Sequence, residues 1–127
     1  MGAPHILLVD DEPGIQTLLA DFLREHGYAV DIAATISEAK TRLIVQSHDL
    51  VVADWRLPDG DGTLIADWAA ELGAKTLLVS GYLSYMQGGR AVDHETLVKP
   101  IRLDDFIAVV KRSIGEAVPE VADLPGF

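Results

Sequence analysis

The sequence predicts an α/β fold, a parallel sheet covered by helices on both faces. Three observations predict it. Short apolar runs alternate with amphipathic stretches along the chain. Glycine, proline and capping residues punctuate the boundaries between them. Three of the apolar runs end abruptly on charged residues, at Asp10-Asp11, Asp54 and Lys99. Strands alternating with helices imply right-handed crossovers and a parallel sheet buried on both sides.

The first strand covers about His5 to Val9, a run too short and too continuous for a surface helix. Pro13 suits the first turn of a helix. Ile15, Leu18, Leu19, Phe22 and Leu23 then recur at helical spacing and predict one apolar face, which Gly27 ends. Ala29 to Ile32 is a short second strand. Thr35 and Glu38 have the spacing of a capping box, so a second helix starts there and runs to about Gln46. Asp49 to Ala53 is the third strand, and Arg56 to Gly62 a Gly/Pro/Asp loop. A third helix points Leu64, Ile65, Trp68 and Leu72 inward. Thr76 to Val79 and Glu95 to Val98 are the fourth and fifth strands. Between them, the weak periodicity and adjacent Gly88-Gly89 predict a fourth helix that is short or irregular. A fifth helix places Leu103, Phe106, Ile107, Val110 and Ile114 on one face. Asp104-Asp105 near its start and Lys111-Arg112 near its end complement the helix dipole. Five such units fit a flavodoxin-like doubly wound sheet of five strands, order 2-1-3-4-5, with five helices. One domain is expected over residues 1–116, followed by a loosely held tail at 117–127.

Composition narrows the function. The chain has 127 residues, 49% of them hydrophobic, enough for a core of its own. Its formal charge of −10 argues against binding nucleic acid or an anionic membrane surface. There is no cysteine, which excludes disulfides and thiolate metal sites. No apolar run approaches the ~20 residues needed to span a bilayer, and the start resembles no signal peptide. A cytoplasmic domain is expected.

In an open parallel sheet, ligands bind beyond the carboxyl ends of the strands, at the point where the strand order reverses. Order 2-1-3-4-5 puts Asp10, Asp11 and Asp54 there, with Lys99 at a neighbouring strand end. Three carboxylates and one ammonium make a site for a divalent cation and a phosphoryl group. Carboxylates so crowded repel one another until a cation joins them.

Four motifs lie in order on the expected strands: Leu8-Val9-Asp10-Asp11-Glu12-Pro13, Val52-Ala53-Asp54 with the loop to Gly62, Val79-Ser80-Gly81, and Lys99-Pro100. Together they resemble the receiver domain of two-component response regulators, the CheY-like family, over about His5 to Gly115. The resemblance implies that Asp54 accepts a phosphoryl group from a histidine kinase or a histidine phosphotransfer protein. It implies direct ligation of Mg²⁺, or of Mn²⁺ in its place, by Asp11 and Asp54, with Asp10 acting through water and the backbone carbonyl of Arg56 completing the set. Oxygen-only donors suit such hard cations. Lys99 would bind phosphoryl oxygens and Ser80 would donate to them, while Gly81 leaves room and Lys99-Pro100 is a candidate cis peptide. The output would be a shift between two conformations around Ser80 and Thr96 that changes binding of a downstream protein. The domain is expected to be a regulator rather than an enzyme on other substrates, a monomer or weak dimer, and either free-standing or part of a larger protein.

The resemblance fails at one position. The family carries an aromatic residue three places before the lysine, and here Thr96 stands there. Tyr82 or Tyr85 is the expected replacement, with Tyr82 and Arg56 also flanking the acceptor.

Rival readings are weaker. Asp59-Gly60-Asp61-Gly62-Thr63 resembles the nucleophile motif of haloacid-dehalogenase-like phosphatases, but no strand leads directly into Asp59. An EF-hand loop fails because Gly62 comes too early and no glutamate follows at the needed spacing. A receiver-like scaffold that acts without phosphorylation is the other alternative. The histidines His5, His26, His48 and His94 show no metal-ligand spacing and predict surface or strand-edge roles. Trp68 reads as core, and Trp55 as partly exposed beside Asp54.

Overall fold

The computed structural model describes residues 2–81 and 94–115. Its elements, in order, are β1 (His5–Val9), α1 (Pro13–Glu25), β2 (Ala29–Ala33), α2 (Ile36–Val45), β3 (Leu50–Asp54), β4 (Arg56–Leu57), β5 (Gly60–Asp61), α3 (Gly62–Glu71), β6 (Lys75–Ser80), β7 (Glu95–Val98) and α4 (Leu103–Ile114). Five strands form one parallel sheet in the order β2-β1-β3-β6-β7. This is the predicted order 2-1-3-4-5, because β4 and β5 make a separate antiparallel hairpin inside the expected loop. The irregular fourth helix expected after Gly81 and the tail at 117–127 lie outside the described residues. Four helices are present among the described residues, none long and apolar enough to cross a membrane.

Alternation along each strand divides the core in two. Leu7, Val9, Val51, Ala53 and Leu78 face α2 and α3. Ile6, Leu8, Leu50, Val52, Leu77 and Val79 face α1 and α4, where Phe106 is fully buried. Both faces of β1 and β3 are covered, which is why those strands read as unbroken apolar runs.

The helix boundaries have local causes. Pro13 sits in the first turn of α1, and Gly27 follows it at φ 91°. Thr35 caps α2 by accepting from the Glu38 N–H at 3.0 Å. Glu38 reaches back to the Ala34 N–H at 2.6 Å, one residue earlier than the ideal capping box. Gly115 ends α4 at φ 92°.

Three inward assignments are corrected. Leu18, Leu64 and Leu72 are about half exposed, at 51%, 52% and 56%. The buried positions include Leu19, Ala20 and Leu23 on α1 and Ile65, Ala66 and Ala69 on α3. Small side chains let a helix axis come close to the sheet, so size alone misplaces the inward face. Trp68 is only partly buried, packing on the core edge with the Lys40 ammonium 5.7 Å from its ring centre. Trp55 is buried rather than partly exposed. Its N–H donates to the Val79 carbonyl at 2.8 Å, so the chain still follows the sheet at that point.

Candidate phosphoacceptor site

Four adjacent strands deliver the predicted residues to one edge of the sheet. Asp10 follows β1, and its N–H donates to the Ala33 carbonyl at 3.0 Å, fixing it against β2. Asp54 is the last residue of β3 and pairs in register with Val79. Ser80 ends β6 opposite Val98, and the Lys99 N–H donates to the Ser80 carbonyl at 2.7 Å. Asp10, Asp54 and Ser80 are buried, and Asp11 is exposed.

The Lys99 ammonium lies 3.0 Å from Asp54 Oδ2. Carboxylate oxygens of Asp10, Asp11 and Asp54 all lie within 4.8 Å of one another. Burial pushes the Asp10 carboxyl above its ordinary range. The Glu12 N–H, donating to Asp10 Oδ1 at 2.8 Å, opposes that rise, and the charge of Asp54 adds to it. Burial pulls the Lys99 ammonium down, but the hydrogen bond and charge of Asp54, then Asp10 and Glu12, outweigh it and hold its pKa above the ordinary value. Among the described residues, one ammonium faces three acids. The oxygen-only donors fit a hard divalent cation.

The other predicted residues fall as follows. The Arg56 N–H is 3.4 Å from Asp54 Oδ1, a long contact. The Ser80 hydroxyl donates to the Gly81 carbonyl at 3.0 Å rather than toward the acids. Among the described residues, a Cβ added to Gly81 would meet no atom within 4 Å. Thr96 is half-buried, its hydroxyl donating to the His94 carbonyl at 3.2 Å. The Lys99-Pro100 peptide is cis. Tyr82 and Tyr85 lie outside the described residues.

Asp59 and Asp61, the acids of the phosphatase-like motif, are committed elsewhere. Asp59 accepts from the Ile36 and Ser37 N–H groups at 2.8 and 3.0 Å and so caps α2. Asp61 accepts from the Thr63 N–H at 2.8 Å and caps α3.

Two supporting residues escaped sequence reasoning. Gly62 packs against the backbone of Asp54, where a Cβ would come within 2.1 Å of the carbonyl oxygen. Its N–H donates to the Trp55 carbonyl at 2.6 Å. The Gln16 amide donates to the Asp10 carbonyl, holding the first acidic turn from α1. A glycine shortly after an acidic strand end is the signal that could have pointed to Gly62; nothing in the sequence marks Gln16.

Comparison with known proteins agrees with this geometry. The family model for the response regulator receiver domain matches residues 6–111. The non-phosphorylated HemR receiver domain from Leptospira biflexa is 33% identical with a TM-score of 0.75, covering 92% of this chain and 98% of that one. The response regulator protein TrrA from Thermotoga maritima, solved in complex with Mg(2+)-BeF, is 32% identical with a TM-score of 0.78, covering 87% of this chain and 98% of that one. The sensor histidine kinase AtsR of Burkholderia thailandensis is 35% identical over 116 residues, 85% of this chain and 19% of that protein. The chain spans about half the length, or less, of the curated relatives it matches. A match over most of the sheet and helices, with the acidic cluster and Lys99 in place, means that the chain belongs to the response regulator receiver domain family.

Proposed function

We propose that Asp54 accepts a phosphoryl group from a histidine kinase or histidine phosphotransfer protein, and that this changes binding to a downstream protein. One observation carries the reading: the buried Asp54 carboxylate is held by the Lys99 ammonium at 3.0 Å, with Asp10 and Asp11 beside it. A carboxylate oxygen attacks phosphorus in line, an O–P bond forms, and the P–N bond of the donor phosphohistidine breaks. The leaving imidazole keeps the electron pair and takes a proton from water. Asp10, Asp11, Asp54 and the Arg56 carbonyl would hold Mg²⁺, which supplies the positive charge that lets an anionic nucleophile meet an anionic phosphoryl group. Lys99 binds the transferred oxygens as a point charge. Ser80 turns its hydroxyl from Gly81 to the phosphoryl group, drawing in the end of β6. The domain acts in the cytoplasm, where an ATP-fed kinase supplies its donor.

The test is phosphorylation with a small-molecule phosphodonor, read by a gel that retards phosphoproteins, with and without Mg²⁺. Wild type acquires one hydroxylamine-labile phosphate that needs Mg²⁺, and Asp54→Asn acquires none. Retained, hydroxylamine-labile phosphate on Asp54→Asn overturns the assignment.

A further inference from the structure

We propose that His5, Asp31 and His48 form a second cation site, at the opposite end of the sheet from Asp54, for a divalent transition-metal ion of the zinc class. His5 opens β1, Asp31 lies within β2, and His48 precedes β3 by two residues. One ligand atom from each lies within 4.8 Å of the others. Both Nε2 atoms converge on the same oxygen, Asp31 Oδ2, at 2.9 Å from His5 and 3.0 Å from His48. On a tetrahedral zinc ion, ligand atoms at ~2.0–2.1 Å from the metal lie about 3.3 Å apart. The two histidine–carboxylate distances are a few tenths of an ångström shorter than that, and the third pair lies within 4.8 Å.

The proton inventory favours a cation there. His48 Nδ1 lies 3.1 Å from the Gln46 carbonyl oxygen, which can only accept, so Nδ1 carries the hydrogen. His48 Nε2 then turns its lone pair toward a carboxylate oxygen 3.0 Å away. Two acceptors at that distance repel unless a proton or a metal ion sits between them. The His48 side chain is wholly buried, at 0% exposure. A backbone carbonyl fixing the far nitrogen is also how ligating histidines are oriented. His5 Nδ1 lies 2.5 Å from the Gln46 side-chain amide. Turning that amide end for end sets its oxygen against a protonated Nδ1 and frees His5 Nε2 as a ligand. The His5 N–H donates to Asp49 Oδ2 at 2.7 Å, which anchors the start of the strand.

A cleft of about 240 Å³, lined by Glu38, Thr41, Arg42 and Gln46 among others, opens onto Asp31. Two imidazoles and one carboxylate suit Zn²⁺, Co²⁺ or Ni²⁺, whereas the acids around Asp54 suit Mg²⁺. Donor chemistry thus separates the two ends of the sheet.

The test titrates the full chain with Co²⁺ in excess Mg²⁺, reading visible absorption, and repeats it with Zn²⁺ by calorimetry. Wild type should bind one equivalent with the intense bands of tetrahedral Co²⁺. His5→Gln, Asp31→Asn and His48→Gln should each weaken binding at least about tenfold, while His26→Gln, on an exposed helix end, binds as wild type. Zn²⁺ should raise the thermal midpoint of wild type but not of His5→Gln. Circular dichroism without metal identifies any variant that fails to fold; if the buried His48→Gln does, His5→Gln and Asp31→Asn decide. No Co²⁺ bands in wild type, or bands and affinity that survive both His5→Gln and Asp31→Asn, overturn the proposal and leave a proton as the bridging cation.

Discussion

A Cβ on Gly62 would come within 2.1 Å of the Asp54 carbonyl oxygen. The turn of β4 and β5 thus folds back onto the Asp54 peptide, and α3 begins where it touches. Gly62→Ala must displace backbone rather than a flexible side chain. It should cost at least ~2 kcal/mol of stability and slow phosphorylation of the fraction that remains folded. Urea unfolding and phosphodonor kinetics on the same variant check both parts.

Lys99 bears opposite consequences for cation and phosphoryl group. Lys99→Ala removes an ammonium beside three carboxylates, so Mg²⁺ should bind more tightly. For a partly exposed, screened pair of ~1 kcal/mol the gain is about fivefold. Phosphorylation should nonetheless slow, because the transferred oxygens lose their cation. Fluorescence of Trp55, the residue after Asp54, follows the Mg²⁺ titration.

Asp59 gives a pH signature unrelated to the acceptor. Hydrogen bonds from the Ile36 and Ser37 N–H groups hold its carboxyl below the ordinary value. Its contribution is therefore complete above the unfolded pKa of ~3.9 and disappears as pH falls through the lower folded value. Asp59→Asn should be less stable than wild type at pH 7, and the two curves should converge in acid. Thermal unfolding of both proteins between neutral and acid pH decides this.

Phe106 anchors α4 to the sheet. It is fully buried and its ring lies 6.4 Å from that of Phe22, so two helices share one contact. Phe106→Ala should cost ~3–5 kcal/mol, with β7 and Lys99 loosened as α4 detaches. Denaturant unfolding measures the first effect; loss of the Lys99-dependent difference in Mg²⁺ affinity reports the second.

The acidic edge was legible because each of its residues ends an apolar run, and a strand ends where its burial ends. Asp10, Asp54, Ser80 and Lys99 could be assigned to neighbouring strands from order alone. Helix faces were read less well. Leu64 and Leu72 drew attention by size, while Ala66 and Ala69, which permit close approach to the sheet, are the residues inside. The grouping of His5, Asp31 and His48 could not be read from spacing, because parallel register brings together residues far apart in the chain. Trp55 was misplaced for a related reason: the strand-like path continues one residue past Asp54.

Four strands contributing one landmark each also impose an order of events during synthesis. The acids of β1 and β3 leave the ribosome well before Lys99, the last landmark in the chain. A nascent chain that has reached α3 holds Asp10, Asp11 and Asp54 but not the Lys99 ammonium. Only when β7 docks beside β6 does the Ser80 carbonyl meet the Lys99 N–H and bring the ammonium to Asp54. The edge strand thus completes the site: until it docks, the acids at the ends of β1 and β3 lack the Lys99 ammonium.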